Sequence, residues 1–296
     1  MLPLATPDAL LLALNSPLPG ANLLALSILH KAAASTEDVR VLVGGMEALV
    51  GEVVTLWIGS RDTGVAEMAA RVLGDLLEMD CEVVQRPVGH QAINGASTSK
   101  EAQQRHRLET PGDGRLWKLL FTNPDNLVRI VANCSLSLPA ATREALPPGS
   151  SPRPEREITI SQGRLLRFLP RIAALNISPL LTDHTPLLQP FQAASSNATL
   201  TTSPSTNILS WAALEMVDQS DVLMQLTLVD FFETLVSLAR VATHQGPAKD
   251  EAVKTVLRTA LAGDQSGELR RTMTSLPDRT VEEEAEGLRE YLRDVL

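Results

Sequence analysis

The stretch from Gly44 to Cys81, GGMEALVGEVVTLWIGSRDTGVAEMAARVLGDLLEMDC, decides the fold. Its first half repeats apolar residues at Met46, Leu49, Val50, Val53, Val54 and Trp57, the spacing of one helical face that ends at Gly59. Asp62 suits a turn or helix cap, and Val65, Met68, Ala69, Val72, Leu73, Leu76 and Leu77 then form a second, wider apolar face. Two helices joined by Gly59–Asp62 make an antiparallel hairpin. Each carries more apolar surface than its partner can cover, so the unit is stable only if further hairpins stack on it, the logic of a helical solenoid. The pattern is a packing instruction and holds no catalytic residue type.

Working outward, the pattern recurs. ANLLALSILHKAAA follows Pro19 and Gly20, with Leu23, Leu26, Leu29 and His30 on one side. In STEDVRVLV, either Ser35 or Thr36 can cap a helix whose positive end is met by Glu37 and Asp38. The helical GRLWKLLF precedes NPDNLVRIVANCSL, where turn residues lead into Leu127, Val128, Val131 and Ala132. NILSWAALEMV, starting at Asn207, pairs with DQSDVLMQLTLVDFFETLVSLAR, which sets an acidic turn before Val222, Leu223, Leu226, Val229 and Phe232. AKDEAVKTVLRTALAG and TVEEEAEGLREYLRDVL supply later helices, and EITIS (157–161) is the one short strand candidate. The expected fold is therefore all-α: an armadillo/HEAT-like solenoid forming a single domain over 1–296. Three segments rich in Ser, Thr and Pro or otherwise polar, 85–113, 139–162 and 192–206, are expected as disordered loops between helices.

Composition agrees with helices and narrows the chemistry. Aromatic residues make up only 3% of the 296, too few for a typical β-sandwich core. The formal net charge of −9 argues against a general phosphate-binding surface, so no nucleic-acid partner is expected. Cys81 and Cys134 both lie in or beside apolar helical runs and read as buried, reduced thiols, with a disulfide or redox pair as the other reading. The apolar N-terminus has no basic residue before its leucine run, unlike a secretory signal, and no uninterrupted apolar run reaches about 18 residues. A cytoplasmic chain is expected, with the nucleus open as a second compartment and no membrane partner. In that setting the sequons at Asn133, Asn176 and Asn197 carry no sugar.

A search for chemistry finds little. There is no phosphate-cradling Gly-rich loop with its lysine, no nucleophile elbow and no pair of cysteines at metal spacing. His30, His90, His106, His184 and His244 are scattered, and the RHR run at 105–107 reads as a solvated tip. Asp183 and His184 are sequence neighbours, and adjacent side chains point apart on most backbones, so a dyad is a weak reading. No catalytic residue, metal ligand or cofactor is expected. Trp57, Trp117 and Trp211 fall on apolar helical faces and read as packing residues, with partner anchors as the alternative. Glu282–Glu286 sits in the first turns of the last helix and complements its dipole.

In a helical solenoid the second helix of each hairpin lines the concave wall where partners dock. The polar side of the 64–80 helix carries Glu67, Arg71, Asp75 and Glu78. Asn126, Arg129 and Asn133 belong to the same kind of row, as do Asp230, Glu233, Ser237 and Arg240 on the 221–240 helix. The set predicts an acid-leaning groove suited to a basic protein surface.

The blocks LALSILHKAA, GVAEMAARVLGDLLEMDC, GRLWKLLF and DVLMQLTLVDFFETLV, in that order, resemble successive blocks of one fungal family. It is the family named for DNA mismatch repair of the high-spontaneous-mutagenesis type, the fungal counterpart of 26S proteasome non-ATPase regulatory subunit five. The resemblance implies an assembly chaperone for the base of the proteasome regulatory particle. Such a protein holds the C-terminal domain of one base ATPase subunit and delays its docking onto the core particle. No binding position is carried over from the family; the rows above come from helix geometry alone. A different armadillo/HEAT adaptor, a mismatch-repair factor acting on DNA and, more remotely, an enzyme remain the alternatives.

Overall fold

A computed structural model describes residues 6–82, 112–144, 153–194, 204–241, 246–264 and 266–296. Among these residues every regular element is a helix and no strand occurs. The chain divides into two compact units, Met1–Asn126 and Leu127–Leu296, and each is described by itself.

The first unit contains α1 (Pro7–Leu14), α2 (Pro19–His30), α3 (Thr36–Gly45), α4 (Glu47–Gly59), α5 (Thr63–Met79) and α6 (Arg115–Phe121), followed by the start of α7 (Pro124–Cys134). The α4–α5 hairpin forms as its pattern requires. Asp62 Oδ1 accepts the Val65 N–H at 2.9 Å and opens α5, and α5 packs on both α4 and α2. Its predicted face is buried except for Met68, which is half-buried. Ala66 and Ala69 keep side chains small where neighbouring helices press on that face. Of the two cap candidates for α3, Ser35 is the one used, with Oγ accepting the Asp38 N–H. Asn22 is buried and donates to the carbonyls of Ala13, Leu14 and Ser16 at 2.8–3.0 Å, closing the C-terminal end of α1 against α2.

The chain re-enters beside its point of exit. Gly112 N–H donates to Cys81 O at 2.9 Å and Gly114 N–H to Asp80 O at 3.0 Å. A Cβ at position 112 would lie 2.2 Å from the Asp80 carbonyl carbon, and Gly114 has φ +65°, so both positions require glycine.

The second unit contains the rest of α7, α8 (Ala140–Glu144), α9 (Glu155–Leu175), α10 (Thr185–Ala194), α11 (Ile208–Leu214), α12 (Val222–Val241), α13 (Pro247–Gly263), α14 (Glu268–Ser275) and α15 (Glu282–Arg293). Helices α9 and α12 form its most extensive pairing, and α13, α14 and α15 also pack on α12. The buried face of α12 is Met224, Leu228, Phe231, Phe232, Leu235 and Val236.

Two expectations change here. Within 139–162, Ala140–Glu144 is helical and 155–162 belongs to α9, where a loop was expected, and 145–152 lie outside the described residues. The EITIS candidate is helix, not strand. Its β-branched residues favour a strand locally, yet Ile158, Leu165, Leu166, Leu169 and Ile172 share a buried helical stripe, and Glu155 and Glu157 suit the positive first turn. Of the other loops, 85–113 lies outside the described residues except for 112 and 113. Within 192–206, residues 192–194 end α10, 204–206 are non-helical and 195–203 lie outside.

By length and composition, Val222–Arg240 could cross a membrane, and α3 and α4 pass the same test together although bent by 97°. In the second unit α12 packs one face on α9, α13, α14 and α15, and with 33% of its most apolar stretch buried it keeps an apolar surplus beyond that face.

Candidate functional site

The residues expected to line a partner-binding wall divide by what the fold does with them. On α5, Glu67, Arg71 and Glu78 are exposed, on the side opposite the buried stripe. Asp75 is engaged: its Oδ2 lies 2.7 Å from His30 Nε2 on α2, and both side chains are partly covered. Asn126 does not line a wall. It is buried, its Nδ2 donates to Leu119 O at 2.9 Å, and its backbone N–H is taken by Asn123. Arg129 is exposed, whereas Asn133 accepts from Arg153 Nη1 at 2.6 Å. On α12, Asp230 is exposed, but Glu233 pairs with Arg279 and Arg240 Nη2 lies 2.7 Å from Glu284. The latter two pairs fix the C-terminal helices to α12. They are structural contacts, not an open wall.

Of the candidates outside the rows, His90, His244 and the RHR run at 105–107 lie outside the described residues, whereas the Asp183–His184 pair, the tryptophans and the cysteines lie within them. Asp183 accepts both the N–H and the Oγ1–H of Thr185, at 2.8 and 2.7 Å, which holds its carboxyl below the usual range. The neighbouring His184 is buried and donates its backbone N–H to Thr206 O. Trp57, Trp117 and Trp211 are all core residues. Cys81 and Cys134 are free, buried thiols, and burial pushes the Cys134 thiol up, away from the reactive thiolate. Among the described residues no group of three His, Cys, Asp or Glu side chains could hold a metal ion.

Asp80 is the most perturbed carboxyl. It is 2% exposed, and its Oδ2 accepts the Leu116 N–H at 2.6 Å at the N-terminus of α6. Burial raises its pKa from 3.8 to about 6, against the lowering effect of the Leu116, Trp117 and Asp113 amides. Next to it, Asp113 receives Nε and Nη2 of Arg40 at 3.0 and 3.2 Å, a two-pronged pair that holds its own carboxyl low. Because the folded state binds the Asp80 proton more tightly than the unfolded chain, its contribution to stability falls as pH rises from about 4 to about 6. The stability of wild type relative to Asp80→Asn is expected to drop by on the order of 2 kcal/mol between pH 4 and pH 7. Urea unfolding of both proteins at the two pH values checks it, and an unchanged difference would show that Asp80 titrates normally.

The feature that sequence reasoning misplaced lies at the start of α12. Val222, Leu223 and Leu226 read as part of one apolar helical pattern with Val229 and Phe232, yet they are 68%, 69% and 55% exposed. Once Phe231, Phe232, Leu235 and Val236 set which side of α12 faces the core, positions 222, 223 and 226 fall outside it. Leu223 follows Val222 in the chain, and Val222 and Leu226 line a groove of about 550 Å³ within the second unit. Its apolar lining includes Val222, Leu226 and Val229 of α12, Ala260 of α13 and Leu269 of α14.

Most of the polar lining of the groove is already engaged. Asp218 accepts from the N–H and Oγ of Ser220, both at 2.8 Å. Asp264 accepts from Ser266 Oγ and the N–H groups of Gly267 and Arg270, and is held below its ordinary pKa. Thr259 donates back to Thr255 O, Gln225 donates to Gln219 O, and Glu268 pairs with Arg271 at 2.6 Å. The groove therefore offers apolar area and a negative field, with few unspent directional bonds. Its signal in the sequence is an excess: α12 carries apolar residues over a wider arc than one packed face can use. No protein-family model, no curated protein and no solved structure matches the chain.

Proposed function

We propose that this chain is a helical-repeat protein that holds another polypeptide, and that it acts as an assembly chaperone for the base of the proteasome regulatory particle, binding a base ATPase subunit. One structural observation carries the general part. Val222, Leu223 and Leu226 stand exposed at a groove whose polar groups are mostly bonded within the fold, a surface suited to another protein's side chains. The narrower part rests on the order of the four sequence blocks from Leu24 to Val236. The mechanism it implies is steric: the holder occupies one face of the ATPase subunit and blocks premature docking. The net charge of −9 favours a basic protein surface over a nucleic acid.

Purification of the tagged chain from native cells is expected to recover base ATPase subunits without mature core particle; recovery of neither would end the chaperone reading. The exposed carboxylates of α5 give a second arm. Glu67→Lys with Glu78→Lys is expected to weaken that capture about tenfold while leaving the melting temperature nearly unchanged, since neither side chain is buried. Undiminished capture would show that the α5 row takes no part. Glu233 is unsuitable for such a reversal, because its partner Arg279 would be left facing a lysine.

A further inference from the structure

We propose that the groove at the start of α12 docks a cationic amphipathic helix of a partner protein, taking its apolar stripe against Val222, Leu226 and Leu269 and its basic flank beside Asp218 and Asp264. This deepens the protein-holding reading and rests on it.

The occupant's chemistry follows from three observations. First, the groove has apolar walls on α12, α13 and α14, and the exposed Leu223 extends the same patch along α12. Burying such side chains contributes more to binding than isolated surface polar contacts supply. Second, the local field is negative. Asp218 and Asp264 line the groove, Asp221 caps α12 beside it, and no Lys, Arg or His is among the described lining residues. The helix N-termini of α12 and α14 offset this by only about half a charge each, and the C-terminus of α13 adds about half a charge of negative sign. Glu268 is neutralised locally by Arg271, so the aspartates set the sign.

Third, most of the directional groups are engaged, and what remains free is carboxylate lone pairs. A small polar ligand needs converging donors and acceptors, whereas Asp218, Gln225, Thr259 and Asp264 already bond within the fold. Among the described residues no strand edge is available to pair with an extended peptide, so recognition falls to the helix-in-groove mode. In that mode apolar anchors at i, i+3, i+4 and i+7 enter the groove. Lysine or arginine on the flank meets the aspartates across their outer lone pairs.

The test uses the full chain and a labelled amphipathic peptide of leucine and lysine, read by fluorescence anisotropy. A leucine–glutamate peptide of the same pattern and a scrambled leucine–lysine peptide serve as controls. Saturable binding of the patterned cationic peptide alone is expected, weakening as salt rises. Leu226→Ser, at an exposed position where folding is not at stake, is expected to weaken it about tenfold. Asp218→Asn keeps the oxygen that receives Ser220, removes the charge, and is expected to flatten the salt dependence.

Equal binding of either control peptide, or indifference to Leu226→Ser, would overturn the proposal. So would sedimentation with phosphatidylcholine vesicles that depends on Leu226 in place of peptide binding, which would assign the patch to a lipid surface. Self-association that depends on Leu226 and blocks the peptide would assign it to a second copy. The two readings fail separately. ATPase capture that survives Leu226→Ser, with no peptide binding, removes the groove and leaves the chaperone. Groove-dependent peptide binding without ATPase capture does the reverse.

Discussion

Replacing Trp117 by alanine is expected to cost the Met1–Asn126 unit about 3–5 kcal/mol, a large share of the 5–15 kcal/mol that holds a typical domain together. The indole is 1% exposed, and its Nε1 donates to Leu77 O at 2.9 Å. That carbonyl belongs to the last turn of α5, where backbone acceptors have no partner within the helix. Trp117 therefore closes the C-terminus of α5 while Asp80, the residue that ends α5, closes the N-terminus of α6 through Leu116 N–H. The reciprocal caps explain how α6 can exist. A helix of seven residues lies far below the length at which helices persist alone in water. Trp117→Phe separates the two contributions. It retains most of the volume beside Phe121, loses only the bond to Leu77, and is expected to cost about 1–2 kcal/mol. Urea unfolding of both variants reads the difference. An alanine variant within about 1 kcal/mol of wild type would show that α6 is not held this way.

That junction illustrates what the sequence could and could not disclose. The α4–α5 hairpin was legible because its apolar positions repeat at helical spacing and Asp62 sits where a cap is needed. The helical start of α12 was legible for the same reason, and so was the burial of all three tryptophans. The Asp80–Trp117 exchange was not, since it joins residues far apart in the chain and no local period records a tertiary cap. At α9, the opposite error arose. SPRPEREITIS looks like a proline-rich loop followed by a strand, because the local composition conceals a stripe that becomes visible only over the full length of the helix.

The candidate site was legible only in outline. Helix geometry identified Glu67, Arg71, Glu78, Arg129 and Asp230 as outward-facing, which needs no tertiary knowledge. It could not foresee that Asp75 would meet His30, that Glu233 would meet Arg279, or that Asn126 would turn inward to Leu119, because each depends on which neighbour packs alongside. The apolar groove was misread for a related reason. Val222, Leu223 and Leu226 satisfy a helical period as well as Met224, Leu228 and Phe231 do. A helix that is apolar over most of its circumference does not announce which arc the core will take.

Gln162→Leu is expected to destabilise the Leu127–Leu296 unit by about 2–5 kcal/mol despite adding an apolar side chain to a buried site. Gln162 is 2% exposed, and its Nε2 donates to Cys134 O and Met216 O, both at 2.8 Å. One of those carbonyls ends α7 and the other follows α11, so a single amide ties the ends of two helices to the middle of α9. Two oxygen acceptors also fix which way the amide points, because its own oxygen would be repelled there. Leucine supplies neither donor, and two buried carbonyls are left without their partner at about 1–3 kcal/mol apiece. The neighbouring Arg153 cannot replace the lost donor without leaving Asn133 and Ser161, to which its guanidinium is bonded. Gln162→Glu sharpens the test. Its ionised carboxylate would face the same two oxygens, so the folded state would favour the protonated form, and the variant's deficit relative to wild type is expected to grow as pH rises from about 5 to about 8. Unfolding midpoints for both variants across that range decide the matter. A leucine variant as stable as wild type, or a glutamate variant whose deficit is flat with pH, would mean that this amide is not what binds α7 and α11 to α9.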